Sequence, residues 1–225
     1  MSLFVAGTDT GVGKTVLTAG IVGWLRREGI DATAIKPCQT GYPEDDDARF
    51  VIEVCGDEDA ATCLERLGPP LAPAVAARET STALSYDRIV SGCRERIEAR
   101  NVAIVEGIGG LRVPLADGSE VVDLVADLDL PTLVVARSGL GTLNHTALTA
   151  EALRRRGVSV VGVVLNEYEG TDLAERTNPA VIEAQTDLPV ATLPPVAHDG
   201  DGLENDGAAL IDAVAESLPE SFRGE

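Results

Sequence analysis

The residues best suited to chemistry are the only two lysines in the chain, Lys14 and Lys36. Every other basic side chain is arginine, although lysine is the usual choice for a solvated surface charge. Lys14 closes Gly7-Thr-Asp-Thr-Gly-Val-Gly-Lys-Thr15, a glycine-bearing turn between an apolar stretch and a helical pattern. Such a turn aims backbone N–H groups and a helix N-terminus at phosphate oxygens. Gly11, Val12, Gly13, Lys14, Thr15 and Val16 are therefore the expected phosphate contacts. Lys14 would reach the β- and γ-phosphates, and the Thr15 hydroxyl would face Mg²⁺. The strict G-x-x-x-x-G-K-[ST] pattern needs glycine at position 8; this chain has Thr8, with Gly7 just before it. Lys36 ends the next apolar run, at Ile35-Lys36-Pro37, and is expected to bind an anion.

Two acids suit a divalent cation beside the phosphates. Glu106 ends the apolar run Val102-Ala-Ile-Val-Glu106, and Asp47 follows the acidic stretch Glu44-Asp-Asp-Asp47. Hard carboxylate oxygens are the ligands Mg²⁺ selects. Taken alone, Asp47 reads as one acid in a solvated run rather than as a ligand. Further on, Gly139-Leu-Gly-Thr-Leu-Asn144 leads straight into a helix. Its N–H groups suit a carboxylate, and a simple capped helix fits as well. His145 is expected to pack and His198 to be solvated; neither has metal-ligand spacing. No G-x-S-x-G elbow or Cys/His pairing offers a covalent nucleophile.

The elements that must position these groups alternate regularly. Strands are expected over 3–7, 32–37, 102–106, 132–136, 159–165 and 189–193. Helices are expected over 15–28, 46–55, 86–100, 121–128, 143–156, 179–186 and 208–218. Ser85 and Asn178 are expected N-caps, the latter with Pro179 at the first helical position. Residues 68–77, rich in proline and alanine, read as an irregular loop, and 107–110 as a glycine loop. The strands are continuous apolar runs, as strands covered on both faces are. The expected fold class is α/β: one P-loop NTPase-like domain over 1–225 with a doubly wound, mostly parallel sheet. Ligands then sit outside the carboxyl ends of the strands, where Lys14, Lys36, Glu106 and Asn166 fall.

Composition sets bounds on partners. The formal charge is −19, which opposes nucleic acid and anionic membranes. No apolar run has the length of a membrane helix, and Met1-Ser-Leu-Phe-Val-Ala enters a strand directly, so a cytoplasmic location is expected. The four cysteines lack C-x-x-C spacing and are expected to be reduced and structural. The acid excess, scarce lysine and 3% aromatic content suggest adaptation to high cytoplasmic salt.

In order, these motifs resemble the dethiobiotin synthetase family. The matching strings are 7–15, Lys36-Pro-Cys-Gln-Thr-Gly41, Asp47-Ala48, Val105-Glu-Gly-Ile-Gly-Gly110, Leu140-Gly-Thr-Leu-Asn-His145, Leu165-Asn166 and Leu193-Pro-Pro195. The fold-related partitioning and septum-positioning ATPases carry lysine where this chain has Asp9 and glycine where it has Thr8. The resemblance implies that 7,8-diaminononanoate, CO₂ and Mg-ATP give dethiobiotin, ADP and phosphate through a carbamate and a carbamic-phosphoric anhydride. It also implies catalytic roles for Lys14 and Lys36, and Mg²⁺ on Thr15, Asp47 and Glu106. Thr10, Thr40 and the loop Glu106, Gly107, Ile108 and Gly109 would border the diamine and carbamate. Adenine would lie near Asn166, Leu193, Pro194 and Pro195. Gly141, Thr142, Leu143 and Asn144 of a second subunit would hold the substrate carboxylate, making a homodimer with shared sites. Thr40 stands where the family has serine, and Arg112 where an aromatic or apolar residue is frequent. The rival reading is a partitioning or regulatory P-loop ATPase that switches conformation.

Overall fold

The computed structural model describes residues 2–196 and 203–218. In chain order these form β1 (Leu3–Gly7), α1 (Lys14–Arg27), β2 (Ala32–Thr40), α2 (Asp47–Cys55), β3 (Ala61–Leu67), α3 (Pro73–Glu79), α4 (Tyr86–Glu98) and β4 (Val102–Gly110). A short hairpin, β5 (Pro114–Ala116) and β6 (Ser119–Glu120), precedes α5 (Val121–Leu128). The chain continues as β7 (Thr132–Arg137), α6 (Thr142–Arg155), β8 (Val160–Asn166), α7 (Leu173–Thr186), β9 (Val190–Thr192) and α8 (Leu203–Ser217).

Seven strands form one sheet in the order β3-β2-β4-β1-β7-β8-β9, and every pairing in it is parallel. Parallel pairing requires a crossover after each strand, and one hand of crossover sends the helices to opposite faces as the chain moves left or right. The chain moves left from β1 to β2 to β3, and α1, α2 and α8 pack together on one face. The other face carries α4, α5, α6 and α7, and the two hydrophobic cores divide accordingly. Phe4 and Ile35 are fully buried in the second core, whereas Val5 and Ala34 serve the first, so adjacent strand residues feed opposite faces. All strands deliver their carboxyl ends to one edge, with the β1 turn at its centre.

The expected sheet is present, with several differences: β2 runs past Pro37 to Thr40, so Lys36 lies within the strand, and the hairpin of β5 and β6 is unexpected. Residues 61–67 form an edge strand, unexpected because Thr62, Glu65 and Arg66 interrupt its apolar run. Residues 73–77 of the expected loop are helical, as part of α3, since Pro73 at the first turn forfeits no hydrogen bond. The glycine loop after Glu106 continues β4 to Gly110 rather than leaving the sheet. Asn178 does not cap α7: the N-cap lies six residues earlier, at Asp172, whose side chain accepts from Glu175 N, and Pro179 lies inside the helix. Ser85 does cap α4, accepting from Arg88 N. His145 is exposed rather than packed. His198 lies outside the described residues. No helix among the described residues is long and apolar enough to cross a membrane.

Candidate active site

The turn after β1 is built by its glycines. Gly11 and Gly13 have φ of 66° and 96°, in the left-handed region where a side chain is strained. Gly13 is also the N-cap of α1, and no side chain caps that end, so the first amides of the helix are open to an anion. A Cβ on Gly13 would fall 2.0 Å from Asn166 Nδ2, so the glycine lets the end of β8 close against the turn. Gly7 performs a similar service: a Cβ there would lie 2.8 Å from Lys14 Nζ. Lys14 folds back over the turn and donates to Asp9 O at 2.9 Å. Thr8 N donates to Val135 O, which extends β1 pairing into the turn.

Lys36 of β2 and Glu106 of β4 meet beside this turn. Lys36 Nζ donates to Glu106 Oε1 at 2.9 Å and to Gly107 O at 3.3 Å, and it also pairs with Asp47. Thr15 Oγ1 donates to the same Glu106 oxygen at 2.9 Å. Asp47 is brought in by the start of α2, where its N–H donates to the buried Gln39 Oε1 at 3.1 Å. Lys14, Lys36 and Glu106 are each at least 94% buried. A fully buried, unpaired charge is costly, so the pairing of cations with carboxylates is what makes the cluster tolerable.

Burial and the neighbouring positive charge of Lys36 push Lys14 down to about 8. Burial opposes the charge on Lys36 too, but Glu106 and Asp47 outweigh it and hold its pKa above the usual lysine range. Burial and the Asp47 charge raise Glu106 against the pull of Lys36. Asp47, less enclosed, is held below the usual carboxylate range because Lys36 overcomes its partial burial. In ligand-free protein the more buried acid is thus the weaker one, as expected of two carboxylates around one cation.

The Thr15 hydroxyl and the carboxylates of Asp47 and Glu106 form an all-oxygen set. Among the described residues no three His, Cys, Asp or Glu side chains converge on a point, so a cation here would rely on water and phosphate for further ligands. That fits Mg²⁺, which keeps waters and binds through one or two carboxylates plus substrate phosphate. All four cysteines are free, and burial pushes their thiols up to about 11 or 12.

These groups line a cleft of about 610 Å³ that also takes in Thr10, Val16, Thr40, Ile108, Gly109 and Asn166. Leu71 and Pro73 close part of its rim. Gly107 does not line the cleft; its carbonyl accepts from Lys36. Leu193 is fully buried and holds the loop after β8 by accepting from Tyr168 N. Pro194 and Pro195 are exposed and, with Leu193, stand outside the cleft. Gly141, Thr142, Leu143 and Asn144 also lie outside the cleft of their own chain. Gly141 caps α6 with φ 90° and no side-chain bond, Thr142 is buried, and Asn144 is exposed. Arg112 is solvent-exposed and pairs with Glu120. A larger hollow of about 720 Å³ lies at the other end of α1, where Arg26 and Arg27 pair with Asp57 and Asp212.

Two contacts around the site escaped sequence reasoning. Gln39 positions Asp47, and its only sequence signal is an amide inside a buried strand. Arg137 donates to Thr10 O at 3.2 Å from the end of β7.

Comparison with known proteins places this architecture. A family model described as an AAA domain matches residues 1–199. Among solved structures, the cell division ATPase MinD of Pyrococcus furiosus superposes with a TM-score of 0.57 over 96% of this chain and 97% of its own, at 16% identity. A ParA family ATPase from Chlorobium tepidum gives 0.58 over 98% and 94%, at 14% identity. Identities this low speak for the fold alone. The ATP-dependent dethiobiotin synthetase BioD of Haloferax mediterranei is 61% identical over 86% of this chain and 83% of the relative. The BioD of Anaeromyxobacter sp. (strain K) is 46% identical over 85% and 89%. With that identity spread over most of both chains, the protein belongs to the dethiobiotin synthetase family.

Proposed function

We propose that the protein makes dethiobiotin from 7,8-diaminononanoate, CO₂ and ATP, the whole of residues 1–225 acting as one unit in the cytoplasm. The observation that carries this reading is the pair of buried lysines, Lys14 at the start of α1 and Lys36 within β2, facing one cleft with Glu106 of β4 between them. One substrate amine adds to CO₂, losing a proton and forming a carbamate. A carbamate oxygen attacks the γ-phosphorus of ATP, the bond to the β-phosphate oxygen breaks, and ADP leaves. The second amine attacks the carbonyl carbon of the resulting anhydride, closes the ring and expels phosphate.

The chain's part is positioning and charge. A neutral amine is already nucleophilic, so no strong base is required. The turn amides at Gly11, Val12 and Gly13 and the start of α1 hold the phosphates. Lys14, its pKa brought down to about 8 by burial, is held in its charged form when a phosphate approaches. Lys36 is kept protonated by Glu106 and Asp47 and faces the carbamate and the phosphoryl group moving to it. Thr15, Asp47 and Glu106 would hold Mg²⁺, which supplies neutralisation of phosphate charge. Thr10, Thr40, Ile108 and Gly109 border the diamine, and Asn166 the nucleotide base.

Residues 141–144 of a second subunit take the substrate carboxylate. Their position outside their own cleft supports this, as does Leu140, 94% exposed beside them. The test is to incubate the protein with diaminononanoate, bicarbonate and Mg-ATP and to follow dethiobiotin and ADP. Stoichiometric formation of both is expected; ATP hydrolysis at full rate without diamine would instead favour a conformational ATPase.

A further inference from the structure

No step of that reaction uses Ser138, Glu175 or Asn178, yet all three are at least 92% buried. Ser138 Oγ lies 2.7 Å from Glu175 Oε1 and 3.1 Å from Glu167 O, and its one proton is shared between them. The other Glu175 oxygen accepts from Thr171 N at 3.2 Å. Asn178 Nδ2 donates to Ser138 O at 2.7 Å and Gly139 O at 3.2 Å. Glu175 and Asn178 are three residues apart and share one face of α7. That face therefore grips two loops at once, the one after β7 and the one after β8.

Each loop leads to a different part of the site. After β8, Glu167 has φ 54°, a left-handed conformation that a non-glycine residue adopts only when its surroundings impose it. Ser138 donates to its carbonyl, and the N–H of the same peptide, from Tyr168, donates to Leu193 O, so both ends of that peptide are held. The residue before it is Asn166, whose amide packs on Gly13 of the phosphate turn. After β7, the Gly139 carbonyl that Asn178 grips also accepts from Thr142 N at 3.3 Å, which sets the open start of α6. Apolar side chains of similar size would fill this space with equal or greater stability, so burial of a carboxylate and an amide calls for a positional reason.

We infer that Ser138, Glu175 and Asn178 are positioning residues that fix the Asn166 side of the nucleotide site and the 141–144 anion loop relative to one another. The inference rests on the functional reading above. One network then sets the affinity for two chemically different substrates without touching either.

Ser138→Ala removes the hydroxyl and keeps the carbonyl that Asn178 needs. It should raise both the Kd of an ATP analogue, read by calorimetry, and the KM of diaminononanoate by about three- to tenfold, the loss of one buried hydrogen bond. The kcat should stay within about twofold, because no group that meets the reacting atoms is altered. Ser138→Thr should restore both affinities. Glu175→Leu, which removes both acceptor oxygens at similar volume, should reproduce the loss. Unchanged affinities, a fall in kcat alone, or an effect confined to one ligand would overturn the inference. An inactive wild type would overturn the functional reading and this inference with it; an active wild type whose variants bind normally would overturn the inference alone.

Discussion

Lys36 Nζ and Glu106 Oε1 lie 2.9 Å apart, each at least 95% buried in the wall of the cleft, and Thr15 donates to the same carboxylate oxygen. The ammonium thus sits among the oxygens that suit Mg²⁺. In ligand-free protein it acts as their counter-ion. On the proposed reading, the same charge would be available for the phosphoryl group once nucleotide and metal are bound.

Removing that charge separates chemistry from binding. Lys36→Gln should lower kcat by about 10²- to 10³-fold, the usual loss when a preorganised electrostatic donor is deleted. The Kd of an ATP analogue should change far less, because the phosphate turn is intact. With no ammonium between Asp47 and Glu106, Mg²⁺ should bind the nucleotide-free variant more tightly than wild type. Calorimetry reads both affinities; equal or weaker Mg²⁺ binding would contradict the counter-ion role.

Lys14 predicts a pH dependence. In ligand-free protein its pKa is about 8, and a bound phosphate raises it. Nucleotide therefore binds the protonated form best. Affinity should be level below about pH 8 and fall by up to about tenfold per unit above it, with proton uptake on binding. The sign reverses for stability. Because the folded pKa lies below the unfolded value, the unfolded chain binds more protons between the two, so ligand-free stability rises over that interval. Lys14→Gln should abolish turnover and flatten the affinity profile. A profile in wild type that stays level to pH 10 would remove the assignment.

How much of this was legible in the sequence depends on the kind of signal. Lys14, Lys36 and Glu106 stood out because a scarce or charged residue beside or within a buried apolar run has few structural uses. The parallel sheet followed from continuous apolar runs. The edge strand 61–67 did not, since an edge is half-buried and tolerates Glu65 and Arg66. Asn178-Pro179 carried the local signature of a helix start, yet tertiary packing put the asparagine inside α7, with its amide on the loop after β7. Local chemistry was read correctly there and long-range geometry was not.

The shared-site reading predicts complementation. Lys14→Gln disables the nucleotide turn, and Asn144→Ala weakens the carboxylate site that the other subunit would need. If sites are shared, a mixed dimer carries both lesions in one site and none in the other. Mixing the two poorly active proteins under exchange conditions should restore up to about a quarter of wild-type activity, since about half of the dimers are mixed and each has one intact site. Activity no greater than the sum of the two variants would show that each chain is self-sufficient.

The surface predicts a salt requirement. Thirty-seven acidic residues against eighteen basic ones leave a formal charge of −19, and α2 alone presents Asp47 and Glu53 beside Asp45 and Asp46. At low ionic strength the repulsion among them acts over tens of ångströms and opposes the compact state, whereas at about 1 M salt screening reduces its range to about 3 Å. The surface ion pairs, such as Arg49 with Glu53 and Glu58, weaken under the same screening. They are few against the acid excess, so repulsion should dominate. The thermal midpoint should rise steadily from dilute buffer to molar KCl. Nucleotide association should quicken over the same range, because a negative field no longer repels ATP. Sodium chloride at equal ionic strength should act alike if screening is the cause. A midpoint that stays constant or falls with KCl would show that the acid excess does not govern stability.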